Sequence, residues 1–323
     1  MRQSRKRMPA TPHRMLIWPQ VGCNADHMNQ GVMMEPRFDR ASEDVGNIIK
    51  LEHVNLRAPD QIQATAFYVT GLGLTRDPFI ATGTGLMWIN IGQNQIHLPT
   101  GSPDLLRGTI GLVLPDRDAL LGRLAEIGKS LSGTHFGFRE DDACVEVTCP
   151  WGNRFRCHAP AADKFGPIVL GMPYVEFDVQ PGTTAAIARF YRDVFDSSAT
   201  VVDDDRGRCA RVMAGARQEL VYRETAEPEA PYDHHHLQIY LADFSGPYRR
   251  LLELGLISAD TLEHEYRFQD IVDLDDGRIV FTVEHEVRSI RHPLYGRPLV
   301  NRNPSQTNRA YVPGQDAMAW SMA

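Results

Sequence analysis

The chain has 323 residues with a formal net charge of −7, 42% hydrophobic and 23% charged residues. That length suits about two domains and a substantial core, and the acidic balance argues against a general phosphate- or nucleic-acid-binding surface. No apolar run approaches the ~20 residues of a membrane-spanning helix.

Residues 1–46 are rich in Met, Pro, Arg and Asn and follow neither structural period; they read as a loosely ordered extension. From Ile48 the pattern changes. Ile49 to Leu56 alternates like a half-buried strand, Asp60 stands as N-cap, and Ile62, Ala66 and Phe67 follow at helical spacing. Gly71 is the expected left-handed C-cap. Three strand-like runs come next: Leu74–Phe79, Gly85–Ile91 and Asn94–Leu98.

The same order then recurs three times. The second copy opens with a strand at Thr109–Leu114, followed by the cap Asp116 and a helix over Asp118–Ile127; it ends with a strand at Arg154–His158. A proline-rich linker, 159–167, divides the chain. The third copy opens at Tyr174, with a helix whose face is Ile187, Phe190, Tyr191 and Val194. The fourth opens at His236, in the run Asp233-His234-His235-His236, and ends on Ile279–Glu286. With His53, Thr109, Tyr174 and His236 set as equivalent, Asp60, Asp116 and Asp243 stand at one common offset. A repeat of this kind outranks single motifs in deciding architecture. The expected fold is α+β, with four βαβββ modules forming two paired half-barrel domains, 47–160 and 168–287, followed by a C-terminal arm over 288–323.

Five cysteines, odd in number and without CxxC spacing, read as reduced thiols of a cytoplasmic protein. Cys144, Cys149, Cys157 and His158 lie close in sequence but match no zinc spacing, and buried small hydrophobes are the better reading.

The modules resemble the vicinal oxygen chelate superfamily, which includes glyoxalase I, the bleomycin-resistance proteins and the type I extradiol dioxygenases. The likeness is carried by Glu52-His53-Val54-Asn55-Leu56, by Phe67-Tyr68-Val69-Thr70-Gly71-Leu72-Gly73-Leu74, by Pro150-Trp151-Gly152-Asn153-Arg154-Phe155 and by His236-Leu237-Gln238-Ile239-Tyr240. It covers roughly residues 48–290. Four modules in one chain are similar to the extradiol dioxygenases, in which the second pair holds iron and the first is inert.

The resemblance implies metal ligands on the first and last strands of the modules. In the first pair, Thr109 and Arg156 are poor ligands, so His53 and His97 read as structural or as lining an empty cavity. In the second pair the family positions fall on Tyr174, Glu219, His236 and Glu284. His236 and Glu284 are the expected core of a site for Fe2+ or Mn2+, with Glu219 or Tyr174 as third ligand. Glu286 shares a strand face with Glu284, so the register could shift by one repeat. His264 and Tyr266 are the implied acid/base groups, and Arg291 and Arg297 could clamp a substrate carboxylate, although an arm packed across the fold is the plainer reading.

The expected function is therefore a metal-dependent enzyme, dioxygenase-like in layout, acting on a small aromatic or vicinal-oxygen substrate. A glyoxalase-type lyase or isomerase, and a metal-free ligand-binding protein on the same fold, are the alternatives. A small molecule is the expected partner, with no nucleic acid and no membrane; a homodimer is allowed for.

Overall fold

The computed structural model describes residues 40, 43–81, 83 and 85–301. The extension expected over 1–46 lies almost wholly outside the described residues, as does the arm beyond 301.

Four modules repeat one order. The first comprises β1 (Ile48–Asn55), α1 (Gln61–Ala64) continuing as a π-helix (Thr65–Gly71), β2 (Thr75–Arg76), β3 (Leu86–Ile91) and β4 (Asn94–Pro99). The second comprises β5 (Gly108–Val113), α2 (Arg117–Ile127), β6 (Gly137–Glu140), β7 (Val145–Thr148) and β8 (Arg154–His158). A short helix, α3 (Ala162–Phe165), lies in the linker. The third has β9 (Gly171–Val179), α4 (Thr184–Phe195), β10 (Ala199–Asp204), β11 (Gly207–Gly215) and β12 (Gln218–Glu224). The fourth has β13 (His236–Leu241), α5 (Ser245–Glu253), β14 (Ile257–Leu262), β15 (Glu265–Val272) and β16 (Ile279–Ser289).

The repeated aspartates do what their offset implies. Asp60 accepts from the Ile62 and Gln63 amides at 2.7 and 3.0 Å, Asp116 from Ala119 at 2.9 Å, and Asp243 from Gly246 at 3.1 Å. Each satisfies helix-start amides that would otherwise lack a partner, a contribution of about 1 kcal/mol. The expectation for Gly71 is corrected. The left-handed residue is Gly73, at φ +74°, whereas a Cβ at Gly71 would stand 2.4 Å from Ile127 Cδ1. Gly71 is needed for close approach to α2.

Modules do not pair in chain order. One eight-stranded sheet runs β14-β15-β16-β13-β1-β4-β3-β2, and the other β10-β11-β12-β9-β5-β8-β7-β6. The first module thus shares a sheet with the fourth through antiparallel β1 and β13, and the second with the third through β5 and β9. The pairs expected over 47–160 and 168–287 are therefore exchanged in the sheets. All four opening strands offer similar alternation and an open edge, so periodicity alone does not choose among them.

The two sheets are stitched where β1 is irregular. Its register with β13 shifts between Leu51 and His53. The Leu51 amide donates to Gln218 Oε1, and the Leu51 carbonyl accepts from Gln218 Nε2 at 2.9 Å and from Asn94 Nδ2 at 2.8 Å. Buried side-chain amides thereby replace the interrupted ladder, as buried backbone polar groups require.

The helices cover the outer faces. In α4 the expected face of Ile187, Phe190, Tyr191 and Val194 is buried, and Phe195 packs on Phe268 with ring centroids 5.3 Å apart. Beneath it His285 donates from Nδ1 to the Val283 carbonyl at 2.8 Å, so its Nε2 accepts from Tyr191 Oη at 2.6 Å. Burial pushes the His285 imidazole down to about 3. The buried neutral ring therefore contributes stability that is complete above the unfolded value near 6.5 and is lost as pH falls toward 3, on the order of 4 kcal/mol. Thermal melts should drop across this window, and His285→Gln should show a shallower pH slope; an unchanged slope would assign the sensitivity elsewhere.

Candidate functional site

Strand register assembles the site from both ends of the chain. Antiparallel β1 and β13 place Asn55 opposite His236 and His53 opposite Gln238. Parallel β13 and β16 set His236 beside Glu284 and Gln238 beside Glu286. Because side chains alternate across a strand, His236, Gln238, Glu284 and Glu286 share the concave face, and the irregularity in β1 turns His53 onto it.

There, ligand-capable atoms of His53, His236 and Glu286 lie within 4.8 Å of one another. His236 stands 3.6 Å from Glu284 and 3.5 Å from Glu286. His53 Nδ1 lies 3.0 Å from Glu52 Oε2, and its Nε2 is buried without a hydrogen-bond partner. A carboxylate on the far nitrogen fixes the tautomer and leaves the bare nitrogen facing inward, the arrangement of metal-ligating imidazoles. Burial lowers the pKa of His53 well below the usual range, so the ring is neutral, as a ligand must be.

His97 forms a wall. It is sandwiched between Trp88, 4.0 Å away and nearly parallel, and His53 at 3.7 Å, while its Nε2 meets Gln95 Oε1 at 3.1 Å. The structural reading of His97 suits this contact; that of His53 does not.

A charged network surrounds the triad. Arg267 reaches Glu284 at 2.6 Å, Glu286 at 2.5 Å and Glu265 at 3.1 Å. Arg288 reaches Glu286 at 2.5 Å, Glu265 at 3.0 Å and Glu52 at 3.8 Å. Burial works against ionisation of Glu286, yet the hydrogen bond with His236 and the Arg288 and Arg267 guanidiniums hold its carboxyl well below the usual range. Glu52, Glu265, Glu284 and Glu286 against Arg267 and Arg288 leave two negative charges in this network. Further unpartnered polar atoms gather here, including Gln238 Oε1, Tyr240 Oη and Trp88 Nε1. Buried polar atoms without partners each cost about 1–3 kcal/mol, and their concentration marks a place built to meet a ligand.

Several expected site residues lie elsewhere. Tyr174 and Glu219 are register neighbours, but on β9 and β12 of the other sheet. Tyr174 bonds His158 at 2.9 Å and Glu219 pairs with Arg211 at 2.8 Å. Neither joins His236 and Glu284 around one ion. Tyr266 points to the helix side, against Phe244 and Tyr248 at 4.9 and 5.3 Å, because the alternation of β15 turns Glu265 and Arg267 inward instead. His264 sits in the turn before β15, 3.8 Å from Glu263. Arg291 is exposed. Arg297 is held by Asp77 at 2.7 Å. His235 bonds Asp233 at 2.7 Å and is buried away from the triad. Cys149, Cys157 and His158 join Cys144 in no ligand group among the described residues.

Two solved structures share this architecture. A Bacillus subtilis protein designated "putative dioxygenase" matches with a TM-score of 0.51 at 13% identity, over 78% of this chain and 91% of its own. A mutant form of glyoxalase I from Zea mays matches with a TM-score of 0.52 at 12% identity, over 74% and 92%. The chain has the fold of these two structures. It is α+β in class, with four βαβββ modules in two half-barrels. No family model and no curated protein matches the sequence. Among the described residues, no helix is long and apolar enough to cross a membrane.

The C-terminal arm belongs to the site's surroundings. Tyr295 stacks edge-on against Tyr240 at 4.9 Å, Asn90 Nδ2 donates to the Val300 carbonyl at 2.9 Å, and Asn301 bonds the Gly92 backbone at 2.8 and 3.0 Å. Asp77 is buried and Arg297 half-buried, so neutralising Asp77 removes the ion pair that holds the arm. Asp77→Asn should cost about 2 kcal/mol in denaturant unfolding and speed tryptic cleavage after Arg291; unchanged cleavage would show that the arm is held by its other contacts.

Proposed function

We propose that this protein is a divalent-metal-dependent enzyme whose centre is the first half-barrel, the one formed by modules one and four, with His53, His236 and Glu286 as the ligands of an Fe2+ or Mn2+ ion. The observation that carries the reading is the convergence of two imidazoles and one carboxylate within 4.8 Å. This donor set, with positions left open for substrate, suits non-haem iron oxygenases. The pair expected from sequence, His236 and Glu284, is thereby revised: His236 stays, Glu286 replaces Glu284, and His53 supplies the second imidazole.

The bound ion would bind and polarise two vicinal oxygens of a small aromatic or oxygen-rich substrate. The chain's own residues do the rest. Glu52 fixes the tautomer of His53, and Arg267 and Arg288 orient Glu286 and hold it ionised. The stack of Trp88, His97 and His53 supplies a rigid wall on one side. Glu284, 3.6 Å from His236, is the group placed to hold or move a proton, a role that the positions of His264 and Tyr266 do not serve. The two surplus negative charges of the network match a divalent cation.

The position of Glu284 also supports a second reading, a glyoxalase-type lyase or isomerase in which it is a fourth ligand. The guanidiniums on Glu286 support a third, a metal-free binding protein.

Anaerobic titration of the purified full chain with Fe2+, and titration with Mn2+, tests these readings. One equivalent should bind, and His53→Ala, His236→Ala and Glu286→Gln should each weaken binding by about tenfold or more. Tyr174→Phe and Glu219→Gln should leave it unchanged. If neither ion binds, both enzyme readings fail. Oxygen uptake with a catechol panel separates the remaining two: Glu284→Gln should keep the metal if the protein is an oxygenase, and lose it if Glu284 is a ligand.

A further inference from the structure

The second half-barrel holds a cavity of about 620 Å³, within the size range of small-molecule sites. It opens between the linker around α3 and strands β9 to β12. Its apolar lining includes Phe165, Met213 and Val221.

One end is closed by a fixed pair. His158 Nδ1 lies 3.3 Å from the Ala143 carbonyl and must donate to it, so Nε2 accepts from Tyr174 Oη at 2.9 Å. Burial raises the pKa of the Tyr174 phenol, which stays protonated and unsuited to a cation.

The charges on the wall are mostly spent on one another. Arg206 grips Glu176 with both prongs, Arg223 grips Asp204 likewise, and Arg211 holds Glu219. Three guanidiniums and three carboxylates cancel. Lys164, Arg217 and Asp205 also line the cavity, and among the described residues no carboxylate lies within ion-pair distance of Lys164 or Arg217. The surplus is one positive charge.

Arg217 is placed at a backbone cost. It occupies the two-residue turn between β11 and β12 at φ +61°, a conformation suited to Gly or Asn. Its Cγ and Nε lie 2.9 and 3.0 Å from where a Cβ of Gly166 would stand, and Gly166 is itself left-handed at φ +57°. Two left-handed residues together lay the arginine stem across the linker at the cavity edge. Strained positions of this kind point to use of the side chain.

We propose that the second half-barrel is a metal-free binding site for a small organic anion with a ring-sized apolar body, an aromatic carboxylate in class. Arg217 and Lys164 take the carboxylate, and Phe165, Met213 and Val221 take the body. The site is independent of the metal centre assigned to the first half-barrel.

Calorimetric titration of the full chain tests this, with benzoate as the probe and inorganic phosphate as the probe of charge alone. Benzoate should bind saturably at one site and more tightly than phosphate. Arg217→Gly should weaken benzoate by about tenfold or more, the worth of a charge-assisted contact, with the melting temperature unchanged or raised because the turn relaxes. Lys164→Ala should weaken it in the same direction, and His236→Ala or a chelator should have no effect. The proposal is overturned if benzoate fails to bind at millimolar concentration, if phosphate binds equally well, if Arg217→Gly keeps full affinity, or if His236→Ala abolishes binding.

Discussion

The antiparallel pairing of β1 with β13 is the contact on which the candidate centre depends. It joins the first module to the fourth, and with them His53 to His236 and Glu286. A β-ladder fixes register to a single residue, and a slip of one would turn every side chain of the strand to the other face. The irregularity in β1 adds to this constraint, because it presents His53 inward while Leu51 and Val54 remain in the apolar layer. Gln218 and Asn94 take up the backbone groups of Leu51, so the departure from regular pairing is held by hydrogen bonds from both sheets.

Around that register the half-barrel carries a dense set of charges away from water. Such a set persists only if each member is held by an opposite one. Arg267 and Arg288 bridge the four carboxylates, and Glu52 passes the constraint to the His53 ring. The network orients the donors and keeps Glu286 ionised beside the neutral His53 ring. The arm over residues 290–301 completes the enclosure through Arg297, Tyr295 and Asn301.

The second half-barrel uses the same strand positions for different chemistry. Where the first has imidazoles and a carboxylate facing one another, the second has a protonated phenol bonded to His158 and carboxylates neutralised by arginines. The repeat preserves geometry, and the side chains at equivalent positions decide what each concave face can bind. One scaffold hosting different sites is the general behaviour of recurrent folds.

Much of the architecture was legible in the sequence. Alternation and helical spacing marked the modules, the aspartates at a common offset marked the helix starts, and His236 stood out at the opening of a strand. These features are local, fixed by side-chain period and capping within a few residues. Gly71 misled because a glycine serves a left-handed turn and a close approach alike, and only the packing of Ile127 distinguishes them. The candidate site is divided differently in the structure for a larger reason. Pairing in chain order groups Tyr174 and Glu219 with His236 and Glu284 and sets His53 apart with Thr109 and Arg156, whereas the sheets join module one to four and two to three. The sequence by itself determined the modules, their caps and the residues able to act as ligands. Only the tertiary structure decided which modules share a sheet, because the opening strands carry similar alternation and edge hydrogen bonds are blind to chain order.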